Sequence, residues 1–113
     1  MEYEVEEYET ADGKKPFSEW LSSLPDKRAQ AKLLARINRA SLGNFGDWKA
    51  LKGAGNIHEM REHSGSGFRI YYKIVGKRLL LLLAGSLKRD QDAAIAKARK
   101  YLEDYERRRT KKP

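Results

Sequence analysis

Two arginines, a lysine and a phenol recur at strand spacing in the middle of this chain. In FRIYYKIV (68–75), Arg69, Tyr71 and Lys73 alternate with Phe68, Ile70, Tyr72 and Ile74. A period of two puts the two sets on opposite faces of a β-strand. In IHEMREH (57–63), Ile57, Glu59, Arg61 and His63 share one side, with His58, Met60 and Glu62 opposite. With Met60 packed inward, Arg61 and His63 emerge on the surface that carries Arg69 and Tyr71. Lys88 and Arg89 follow the end of the next apolar run, where a loop can lean over the sheet, and Lys49 or Lys52 can rim the patch. Guanidinium groups grip phosphate oxygens with paired hydrogen bonds, and a tyrosine can stack on a base or exchange a proton. The set suits an RNA strand lying on a sheet. It also suits metal-independent RNA cleavage, in which the ribose 2′-OH attacks the adjacent phosphate and no protein nucleophile is needed. Such a site requires a base for the 2′-OH, an acid for the leaving 5′-oxygen, and cations for the charge that builds on phosphorus.

Each of these residues also has a plainer reading. Glu59 and Glu62 are within reach of Arg61, so ion pairing is the alternative to catalysis. Tyr72 reads as core and His58 as surface. His58 and His63 fall on opposite strand faces with no third ligand in view, so no metal site and no cofactor are expected. Neither a phosphate-loop glycine pattern nor a Ser/His/Asp spacing is present.

Several elements must position the patch. Tyr3 and Val5 share the parity of a half-buried N-terminal strand. Phe17, Trp20, Leu21 and Leu24 fall at i, i+3, i+4, i+7, one face of a helix begun by Pro16. Pro25 breaks it, and Asp26 can cap a second helix striped by Leu33, Leu34, Ile37 and Leu42, which Gly43-Asn44 ends. Trp48–Lys52 suggests a short strand. The runs 57–63, 68–75 and 78–85, joined by SGSG and Gly76-Lys77, form an antiparallel meander. Asp90 or Asp92 can cap a last helix carrying Ile95, Ala98, Leu102 and Tyr105. The predicted fold is α+β: N-terminal strand, helical hairpin, three- to four-stranded antiparallel meander and C-terminal helix. The helices pack on one sheet face and the other is left for a partner. The oily LLLLL run requires part of that second face to be covered as well, with the C-terminal helix the candidate cover. The basic end (107–113) has no apolar anchor and is expected to fray.

At 113 residues the chain has room for one core, so 1–113 is read as a single domain. Its net charge of +8 points to a polyanionic partner: nucleic acid, a membrane surface or an acidic protein. Cysteine is absent, which fits a reducing cytosol. The acidic start MEYEVEEYET is unlike a signal peptide. The longest apolar run, Leu79 to Ala84, falls far short of the ~20 residues that span a bilayer. A cytoplasmic protein is therefore expected.

The stretch HEMREHSGSGFRIYYKIVGKRLLLLLAGSLKRDQDAAIAKARKYLEDY resembles the phage Gp49-like, HigB-type branch of the RelE/ParE toxin superfamily. The resemblance rests on an E-[L/M]-R strand, a G-[F/Y]-R-[I/V]-Y-Y strand, a leucine-rich strand ending near G-x-x-K, and D-x-x-x-A-x-x-x-A-x-x-Y. PFSEWLSSLPD and ARINRASLGNFGDWKALKG resemble the family's helical hairpin and the loop after it. The resemblance spans about residues 3 to 105. It implies a RelE-like toxin of a type II toxin–antitoxin system, paired with a helix-turn-helix antitoxin and cutting mRNA on the ribosome. It also implies that Arg61 and Arg69 hold the scissile phosphate, that Lys88 contacts phosphate or assists proton transfer, and that Tyr71 stacks or moves a proton. Lys49, Lys52, His63, Lys73 and Arg89 are expected to touch RNA. Relatives with well-defined RNA chemistry often carry a tyrosine or histidine near the last helix or C-terminus, to stack on the substrate or move protons, but here the nearby tyrosines, Tyr101 and Tyr105, lie on the apolar stripe. The ParE branch shares the fold and poisons DNA gyrase without cutting RNA, so non-enzymatic inhibition, or an inactive binding member, is the alternative.

Overall fold

The computed structural model describes residues 2–110, the last in backbone only. Its elements are β1 (Glu4–Glu7), α1 (Pro16–Ser23), α2 (Lys27–Ser41), β2 (Trp48–Ala50), β3 (His58–Glu62), β4 (Phe68–Val75), β5 (Leu79–Leu87), a single 3-10 turn (Lys88–Asp90) and α3 (Gln91–Thr110). The five strands form one sheet in the order β1-β5-β4-β3-β2. β2 to β5 make the expected antiparallel meander, while β1 joins the far edge in parallel with β5.

The helical hairpin forms as its sequence dictates. Pro16 opens α1, Asp26 accepts a hydrogen bond from the Arg28 N–H at 2.9 Å, and the chain leaves α2 at Gly43 with φ +98°. Phe17 and Leu21 of α1, with Ala29, Leu33, Ile37 and Ala40 of α2, pack on Met60, Phe68, Ile70, Tyr72, Leu80 and Leu82. The α2 stripe differs from the expected one. Leu34 and Leu42 are 54% and 59% exposed, and Arg36 is buried in their place. Its guanidinium reaches the carbonyls of Arg61 (2.7 Å), Phe45 (3.0 Å) and Asp47 (3.2 Å), which ties α2 to the far end of the sheet. Val5 is exposed on β1, whereas Tyr3 packs edge-on against Phe45.

The second sheet face is not left free. α3 crosses it and encloses Ile57, Tyr71, Leu81, Leu83 and Ala84 under Ala94, Ala98 and Leu102. The small residues Ala94 and Ala98 let the helix approach closely. A register shift between Tyr71 and Tyr72 pairs them with Ala84 and Leu82 and leaves Leu83 as an extra residue. Plain alternation sends Leu80 and Leu82 to the hairpin side and Leu81 and Leu83 to the α3 side, and the bulge lets Ala84 follow Leu83 onto the α3 side. α3 runs on through Arg107–Arg109 as helix, with Arg107 and Arg108 each 2.9 Å from Asp104. Residues 111–113 of the expected frayed end lie outside the described residues.

Candidate functional site

Residues directly opposed in an antiparallel ladder share a face, and the registers place the candidate residues in rows. Lys49, Glu59, Tyr71 and Ala84 form one row across β2, β3, β4 and β5. Arg61, Arg69 and Ser86 form the next, extended by Asp47, whose carbonyl accepts the Arg61 N–H at 2.8 Å. The same registers, continued by two positions, put Gly67 between His63 on one side and Lys88 on the other. The Lys88 N–H donates to the Gly67 carbonyl at 3.1 Å. Gly67 has φ +84°, and a Cβ there would lie 3.3 Å from Lys88 Cβ. The glycine is thus required twice over: by its backbone and by the lysine that leans across it.

The arginines are brought together and balanced internally. Glu59, 3% exposed, receives Arg61 Nε at 3.0 Å and lies 3.8 Å from Arg69 Nε. Glu62, the other candidate partner of Arg61, lies 3.7 Å from Arg36 instead. Arg61 keeps 28% of its side chain exposed and is the accessible member of the pair. Arg69 is 5% exposed; its Nη1 donates to the Phe68 carbonyl, and its Nε is buried without a hydrogen-bond partner. A buried cationic donor without a hydrogen bond is costly; here the Glu59 carboxylate answers its charge at 3.8 Å, and the half-buried Arg61 lies beside it.

Tyr71 does not face outward as expected. It is fully buried under α3, and its hydroxyl meets Ser86 Oγ at 3.1 Å. Burial, ahead of any other influence, pushes its phenol up to about 12. The ring is closed to base stacking, and the hydroxyl stays protonated at neutral pH. Lys73 also falls short of the open face, held at 2.9 Å by Glu106 of α3. Lys49, Lys88 and Arg89 are exposed, Arg89 beside Asp90 at 3.6 Å. Lys52 is exposed in the turn after β2. His63 is exposed, and its Nε2 lies 2.6 Å from Asp47 Oδ2. His58 sits between Trp48 and Tyr72, and burial lowers its pKa. No cluster of three or more metal-ligating side chains occurs among the described residues, and no helix among them is long and apolar enough to cross a membrane.

Sequence reasoning missed Asp47 and Ser86 as members of this face. Neither belongs to a periodic run of its own. Only the cross-strand register reveals them, and the pairing of so short a strand as β2 is not written in local sequence.

The fold is a small α+β domain with a cation-bearing strand face open beside its last helix. Residues 19–109 match the model of the family described as phage derived protein Gp49-like (DUF891), and the chain belongs to that family. An uncharacterised protein of Haemophilus influenzae is 43% identical over 83 residues, covering 74% of this chain and 82% of the relative.

Proposed function

We propose that this protein is the toxin of a type II toxin–antitoxin pair, a cytoplasmic, metal-independent endoribonuclease that cuts mRNA on the ribosome. The observation that carries the reading is the row Arg61–Arg69–Ser86, flanked by Lys88 and containing a buried guanidinium whose Nε has the Glu59 carboxylate at 3.8 Å but no hydrogen bond. A phosphate on the Arg61–Arg69 row would meet Arg61, the more accessible of the two, with Lys88 of the neighbouring row to one side. Exchange of the Glu59 contacts for phosphate oxygens keeps both guanidiniums paired as charge builds on phosphorus. Lys49 and Arg89 extend the cationic track for the RNA backbone. The partner is an antitoxin, a helix-turn-helix protein by the family resemblance, whose acidic segment covers these cations. The burial of Tyr71 favours the second reading, a non-enzymatic inhibitor of a target such as gyrase, because it withdraws one proton-transfer group from the face.

The test is a pulse of expression without antitoxin, with new 5′ ends mapped on cellular mRNA for wild type, Arg61→Gln and Lys88→Ala. Both substitutions lie at accessible positions. Cuts that follow the reading frame and fade in both variants support the ribonuclease. Growth arrest with intact mRNA transfers the assignment to the non-enzymatic inhibitor.

A further inference from the structure

His63 and Asp47 form a pair that the phosphate-binding role of the arginines does not use. Three observations place it beside the arginine row. First, Asp47 and His63 lie beside Arg61: Asp47 opposite it across β2 and β3, His63 two residues beyond it on the same face. Second, Asp47 is fixed by its backbone, its carbonyl accepting from the Arg61 N–H (2.8 Å) and Arg36 Nη2 (3.2 Å). Third, Gly67 offers no side chain between His63 and Lys88, so the lysine packs over it, its Cβ 3.3 Å and its Cδ 3.7 Å from where a Gly67 Cβ would lie. At the strand spacing of about 5 Å, His63 and Lys88 are roughly 10 Å apart at Cα, on either side of this glycine.

We propose that His63, oriented by Asp47, is the base that removes the 2′-OH proton, acting across Gly67 from Lys88. This rests on the ribonuclease reading above. Nε2 donates to the Asp47 carboxylate, which leaves the Nδ1 lone pair open. The Asp47 carboxyl is held below its usual range, first by that hydrogen bond, so it remains an anion able to stabilise an imidazolium. As the O2′–P bond forms, the 2′ proton passes to Nδ1. As the P–O5′ bond breaks, the 5′-oxygen takes a proton from Lys88 Nζ. The products are a 2′,3′-cyclic phosphate and a free 5′-hydroxyl, and both side chains reset by proton exchange with water. Arg61 on β3 and Arg36 from α2 act on the Asp47 carboxylate, Glu62 faces the opposite side of β3 towards Arg36, and Lys88 lies beyond Gly67.

The test uses purified protein with ribosomes carrying a short mRNA, and single-turnover rates across the neutral pH range. Wild type is compared with His63→Gln, Asp47→Asn and Arg61→Gln. His63→Gln keeps a donor for Asp47 at an exposed position, so the fold is retained and a thermal melt checks it. Its rate should fall by roughly 10²–10⁴, with half-saturation little changed and with the acid-side dependence on pH abolished. Asp47→Asn, a positioning change, should lower the rate about tenfold or more with unchanged half-saturation. Arg61→Gln should instead weaken both binding and rate. If wild type and His63→Gln cut alike with the same pH profile, the inference is overturned and the ribonuclease reading stands. If wild type itself does not cut, both fall together.

Discussion

Glu59→Gln should move stability and anion binding in opposite directions. The carboxylate lies 3.0 Å from Arg61 Nε and 3.8 Å from Arg69 Nε, in a position 3% exposed. At an effective dielectric constant of about 20, each contact carries roughly 4–6 kcal/mol of gross attraction, most of it offset by desolvation. Removing one member of a buried ion pair typically costs about 3–5 kcal/mol. Glutamine keeps an oxygen that can accept from Arg61, so the expected loss is about 2–3 kcal/mol, or a Tm lowered by roughly 8–12 °C in a domain this size. The same change releases two guanidiniums opposed across β3 and β4, so sulfate or a short single-stranded RNA should bind several-fold more tightly. Thermal unfolding and a fluorescence titration read the two effects. Glu103→Gln, on the exposed side of α3, makes the same change in net charge and is the control. An unchanged Tm with unchanged anion affinity would show that Glu59 is not the counter-ion of this site. An equal gain in affinity from Glu103→Gln would show that net charge alone is responsible.

Two further outcomes follow from the packing. Gly85→Ala would place a Cβ 2.2 Å from Trp20 Cε3 and 2.3 Å from Cζ3, which should cost about 1–3 kcal/mol or more in urea unfolding. Adding Trp20→Leu should recover part of that loss, giving a coupling of about 1 kcal/mol in a double-mutant cycle, and simple additivity would refute the contact. The Tyr71 phenol is raised from 10.0 to about 12, so the unfolded chain gives up this proton first. Its contribution to stability is complete below pH 10.0 and lost as pH rises towards about 12. Tyr71→Phe should flatten that alkaline slope in part, since burial raises Tyr8 as well, at a cost of about 1 kcal/mol for the Ser86 hydrogen bond. An alkaline slope identical to wild type would contradict the burial.

The strands and the hairpin were legible because their signals are local. The alternation in 68–75 gave β4 with its observed ends, and the Phe17–Leu21 spacing gave the buried face of α1. Parity put Met60 and Arg61 on opposite faces, and the packing of Met60 under the hairpin turns Arg61 to the other side. The errors come from contacts made at a distance. Arg36 reads as a surface residue in any helical stripe; it is buried because the carbonyls of Phe45, Asp47 and Arg61 converge on it. Leu42 lies past the helix, where no partner waits. Tyr71 and Lys73 share the parity of Arg69, but parity does not say how far α3 extends over that face. The LLLLL run announced two cores by plain alternation, without showing that a bulge at Leu83 would turn Ala84 to the same side.

The parallel pairing of β1 with β5 also sets an order of events during synthesis. The α1–α2 hairpin and the β2–β3–β4 ladder join neighbours in the chain and can assemble as they emerge. β1 is made first, yet Glu4 must wait for Leu79 and Tyr8 for Asp104, whose carboxylate accepts from its hydroxyl at 2.6 Å. Lys88 arrives in the same late segment. A chain cut short before that segment therefore lacks both the latch for its own beginning and one wall of the cationic face. The surface proposed to act on RNA is completed only when Lys88 and Arg89, just ahead of the final helix, have left the ribosome.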